Sequence, residues 1–265
     1  MTDWAAFAGI AVALLFLLLV LARLSQGYVG PTVTVAERRW LAGLPDGADH
    51  LDASGAPAPP APAAEPLPDG VLLVNVALSQ GLFGVVLLLG AWYTEVPLAA
   101  LGLGADPLAT GVPALGWGVA LGLGLALANA LGMSVAERLG YLPGTELREL
   151  LAPETPRGWV VLLGVALPTV AAFEEFLFRA ALVGAFAAGF GVSPWLLAVL
   201  SSLAFAVGHG AQGPAGVAVT GLLGFVLAAA FVLTGSLVVV TVAHYLVNAV
   251  EFLRHERPFG SPVAG

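Results

Sequence analysis

Seven long apolar runs, each bounded by charge or proline, constrain this 265-residue chain more than any other feature. They are Trp4 to Ala22, Val71 to Tyr93, Val112 to Ala136, Trp159 to about Ala188, Pro194 to about His209, Ala215 to Leu233 and Leu237 to Leu253. A helix of about 20 apolar residues crosses the hydrocarbon of a bilayer, and runs of this length and spacing predict an all-α, polytopic membrane bundle of about seven spanning helices. A composition that is 59% hydrophobic and 10% charged fits no water-soluble globule.

The charged residues narrow the function classes. Net charge is −8 and all nine cations are arginine, so there is no basic tract to displace counterions from nucleic acid, and that partner class is set aside. The absence of cysteine removes disulfides, thiolate metal sites and cysteine nucleophiles. An acid-rich, lysine-free, alanine-rich chain also has a halophile-like composition, since carboxylates keep a surface soluble in strong salt.

Five segments follow along the chain: an N-terminal spanning helix (1–22), a polar Ala/Pro-rich loop (23–70), two spanning helices with a connector (71–158), a core of four helices (159–253) and a C-terminal tail (254–265). The first run begins Met1-Thr2-Asp3, without the positive start of a secretory signal, and reads as a retained helix. From Ala53 to Pro68, alanine and proline alternate near acids, the pattern of an extended tether. Glu137 to Arg157 reads as a polar, partly helical connector along the membrane surface. Gly116, Gly118, Gly122 and Gly124 predict close packing of the third run against its neighbours. Because cytoplasmic loops collect arginine, placing Arg23, Arg38, Arg39, Arg138, Arg148, Arg157, Arg254 and Arg257 on one side puts the N-terminus outside and the C-terminus in the cytoplasm of a multi-pass cell-membrane protein.

The ninth arginine, Arg179, lies inside the fourth run with Glu174 and Glu175. Ionisable groups at that depth cost about 2.5 kcal/mol or more each, so they need partners or a function. Glu175 and Arg179 are four residues apart on one helix face and can pair. Glu174 points about 100° away and is free to act as a proton acceptor. The fifth run ends with Phe205 and His209, and the seventh carries His244 and Asn248, again four apart. Unsatisfied polar groups in hydrocarbon find one another, so these clusters predict one buried cavity holding a carboxylate, two imidazoles and an amide.

That set suits hydrolysis by an activated water. Glu174 would take the water's proton with help from His209, and His244 and Asn248 would stabilise the oxyanion. A divalent metal such as Zn²⁺ on Glu174, His209 and His244 is the other activator, although the zincin arrangement, with both histidines on one helix, is absent. Ser201, Ser202 and Ser236 sit in no nucleophile elbow and read as helix-packing hydroxyls. Two other uses of the same cluster stay open: a non-catalytic membrane scaffold and a proton-coupled transporter.

At these residues the chain resembles the CAAX-protease and bacteriocin-processing endopeptidases, the CPBP or Abi family. The family's EExxxR motif matches Glu174, Glu175 and Arg179, its FxxxH motif matches Phe205 and His209, and its HxxxN motif matches His244 and Asn248, in the family's order. Ala180 departs from the glycine usual after the arginine. The resemblance covers Trp159 to Leu253 and implies an all-helical intramembrane endopeptidase, labelled a metalloprotease, acting on a peptide or protein substrate among membrane lipid. It also implies that the six polar motif residues are catalytic and that Phe205 belongs to the substrate site.

Overall fold

Proline and capping side chains set where the helices begin, and glycine sets where several of them end. The computed structural model describes residues 1–25, 71–138 and 146–256. Most of the Ala/Pro-rich loop with Arg38, Arg39 and His50, the middle of the connector and the tail with Arg257 lie outside the described residues.

Helix α1 spans Trp4–Ser25, α2 Val71–Tyr93 and α3 Val112–Arg138; a short α4, Glu146–Leu151, lies in the connector. Helix α5 runs Pro156–Phe190, followed by α6 at Pro194–Gly208, α7 at Gly213–Thr234 and α8 at Leu237–His255. Thr155 caps α5 by accepting from the Gly158 amide, with Pro156 in the first turn, where a missing N–H costs nothing. Gly191 and Gly235 close α5 and α7 at φ of 66° and 62°, a left-handed conformation that costs glycine least.

Among the described residues six helices are long and apolar enough to cross a membrane, and α6 is a shorter apolar helix. Its 15 residues reach only about 22 Å at 1.5 Å per residue, short of the roughly 30 Å hydrocarbon. The glycines at 208, 210 and 213 and Pro214 explain the early stop. His209 therefore stands just beyond the last helical residue, as the C-cap of α6, rather than within a full-length span.

Helix α5 is the central element: half of its best spanning window is buried, against 11–44% for the other five spans. It is not uniformly α-helical. Leu162–Ala166 and Phe176–Ala185 are π-helical, and the second π segment starts immediately after Glu175. Such widened turns inside α-helices are frequent at functional sites.

The helix ends sort into two groups. At one end the Met1 amino group pairs with Glu95 at 2.9 Å, and the Leu237 amide donates to the Gly102 carbonyl at 3.0 Å. At the other end Arg148 of α4 pairs with Glu251 at 2.9 Å and Glu256 at 3.0 Å, while Asn129 of α3 donates to Glu251 at 3.0 Å. Of the four glycines expected at helix contacts, two are: a Cβ on Gly118 would meet Val242 at 2.7 Å and one on Gly122 would meet Ala243 at 2.9 Å, whereas Gly116 and Gly124 face open space.

Candidate active site

Four of the singled-out side chains meet directly where α5 packs on α8. Glu175 and Arg179 are fully buried, His244 is 3% exposed and Glu174 8%. Arg179 donates from one terminal nitrogen to Glu175 Oε1 at 2.7 Å, the expected i, i+4 pair. The same oxygen accepts from His244 Nδ1 at 2.7 Å. A carboxylate accepts here, so Nδ1 carries a proton in this contact. Nε2 faces Glu174 Oε2 across 3.7 Å, beyond hydrogen-bond reach but close enough for one small molecule to touch both atoms.

The other terminal nitrogen of Arg179 donates to the Gly224 carbonyl of α7 at 2.9 Å. The guanidinium carbon lies 4.7 Å from the centroid of the Phe205 ring, a cation–π contact. Phe205 is buried at 1% exposure. His209 sits 4.4 Å from it and His244 6.0 Å, measured between ring centroids. His209, half-buried, donates from Nδ1 to the Phe205 carbonyl at 2.8 Å, which leaves its Nε2 for another partner. Among the described residues no ion pair joins His209 to either carboxylate. Asn248 is half-buried one helical turn along α8 from His244 and takes no part in the contacts joining the other six.

Two findings were not legible in the sequence. The Gly224 carbonyl is one: a glycine in an apolar helix carries no signal of an arginine partner. The other is the use of Ser201, whose hydroxyl donates to the Phe178 carbonyl of the π segment at 2.6 Å and ties α6 to α5. Ser202 bonds Ala198 four residues back in its own helix and Ser236 bonds Ala109, each at 2.6 Å.

Among the described residues no group of three or more His, Asp or Glu side chains has the arrangement of a metal site.

Residues 156–250 match the sequence profile of the family described as type II CAAX prenyl endopeptidase Rce1-like. This segment is similar to the CAAX-protease family. The match starts at the first residue of α5, takes in α6 and α7 and runs to Val250 in α8, so it contains every residue of the cluster. It covers about a third of the chain, and the helices before it lie outside it. No curated protein matches the chain, and no solved structure does.

Proposed function

We propose that the protein is an intramembrane endopeptidase in which Glu174 and His244 hold the attacking water. The observation that carries this reading is the 3.7 Å gap between Glu174 Oε2 and His244 Nε2. Both atoms are acceptors once Glu175 has fixed the His244 proton on Nδ1, and two acceptors so close call for a donor of two protons between them. A water donating to both directs its lone pairs away from the pair, toward an incoming carbonyl carbon.

Glu174 takes the water proton as the carbon–oxygen bond forms, and the carbonyl π electrons move to oxygen. Asn248, one turn along α8, donates its side-chain amide to that oxyanion. On collapse the C–N bond breaks and the proton on Glu174 passes to the leaving amine. This reading moves His244 from the oxyanion to the water, because both of its nitrogens face carboxylates. His209 keeps a part through Nε2, free to accept from a substrate backbone N–H. The substrate is a peptide segment reached from the membrane. The arginine-rich end of the bundle is assigned to the cytoplasm, with the N-terminus outside.

The test uses purified protein in proteoliposomes with a library of membrane-tethered peptides, read by mass spectrometry. The wild-type chain is expected to release cut fragments, and Glu174→Gln to reduce that release by about 10²–10⁴-fold, the usual span for loss of a general base. A Glu174→Gln protein that cuts at the parental rate overturns the proposal.

A further inference from the structure

Arg179 touches both halves of the site. Through Glu175 it bears on His244, and through the Phe205 ring it bears on His209. What fixes the height of the guanidinium between them is on α7, a helix with no charged residue. There the Gly224 carbonyl accepts from Arg179 at 2.9 Å, using the second lone pair that a helical carbonyl retains. The missing side chain matters as much as the carbonyl. A Cβ on Gly224 would lie 3.0 Å from Phe205 Cδ1 and 3.5 Å from the donating Arg179 nitrogen.

We propose that Gly224 is a positioning residue, whose carbonyl and bare Cα hold Arg179 against Phe205 and thereby aim the two imidazoles. The proposal rests on the hydrolytic reading above for its consequence in catalysis. Its geometric part, the aim of the rings, stands apart from any substrate. Adding one methyl group at Gly224 pushes on the Phe205 edge, and the push is relayed to the His209 ring tilted against it and to the arginine that orients Glu175.

Gly221→Ala is the control. It lies on the same helix, and its Cβ would meet Ala206 Cβ at 3.1 Å, a comparable crowding against α6 that reaches neither Arg179 nor Phe205. Both variants are compared with the wild-type chain in proteoliposomes on the fastest-cut peptide of the library, and by ¹⁵N-imidazole NMR without substrate. Gly224→Ala is expected to lower kcat at least tenfold with KM within twofold, and to shift the His209 and His244 ring signals. Gly221→Ala is expected to leave kcat within twofold and both signals in place. Parental kcat and unmoved signals for Gly224→Ala would overturn the proposal, as would equal losses and shifts for Gly221→Ala, which would mean ordinary helix crowding.

A second comparison covers poor folding of Gly224→Ala. In a Phe205→Leu background the added methyl has room, so the alanine is expected to cost less than threefold there and to restore a folded protein. The same factor in both backgrounds, or a pair that is no better folded, counts against the proposal. Since the NMR signals need no substrate, failure of the hydrolytic reading with Glu174→Gln is distinguishable from failure of the Gly224 assignment.

Discussion

An arginine and a glutamate sealed from both lipid and water stabilise one another only as a pair, so removing either leaves an uncompensated charge. Arg179→Met is expected to lower the unfolding free energy by about 3–5 kcal/mol, read by denaturant titration in detergent micelles, and adding Glu175→Gln should recover much of that loss. Arg179→Lys keeps the charge but lacks the planar fork that serves Glu175 and the Gly224 carbonyl together, so cleavage is expected to fall at least tenfold. Unchanged cleavage by the lysine variant would show that the fork is not needed. At this scale the helical period made the Glu175–Arg179 pair legible, because both residues lie on one element. It could not show that the same glutamate oxygen also takes His244, from an element 69 residues away. Periodicity describes one helix at a time, and the Glu174–His244 pair is a product of two.

The elements carry their own determinants. Ser236 caps α8 by accepting from the Val239 amide at 3.1 Å and, in turn, donates to the Ala109 carbonyl at 2.6 Å, so it fixes both the start and the depth of the helix that bears His244. Ser236→Ala is expected to destabilise the protein by about 0.5–2 kcal/mol from the cap alone, measured by the same titration. Gly122 sits where α3 meets the Ala243 backbone, one residue from His244. Gly122→Leu is expected to separate α3 from α8 and lower cleavage, whereas Gly124→Leu, facing open space, should leave it unchanged. Equal behaviour of the two would contradict the packing account. The runs of apolar residues made nearly all the helices legible. The run from Pro194 to about His209, the shortest of the seven, already marked α6 as short; the π segment after Glu175 was not legible, since i→i+5 bonding depends on the neighbours of α5 rather than on its own sequence.

Across the whole molecule, the ion pairs at the helix ends fall into two groups. Glu95 and the Met1 amino group share one end, and Arg148, Glu251 and Glu256 share the other. Because the chain has no cysteine, single introduced thiols report topology directly. Asp106→Cys is expected to react with an impermeant maleimide from outside intact cells, and Glu154→Cys only after the membrane is opened; the reverse would invert the assigned orientation. The central claim is that water, held by Glu174 and His244, attacks the peptide bond. The measurement that bears on it most directly is single-turnover cleavage in ¹⁸O-water, with the masses of both product and intact protein recorded. The account predicts one solvent oxygen in each new carboxyl group, no mass added to the protein, and cleavage by Glu174→Gln slowed by about 10²–10⁴-fold. A covalent peptide adduct on the protein during turnover, or cleavage by Glu174→Gln at the parental rate, would contradict it.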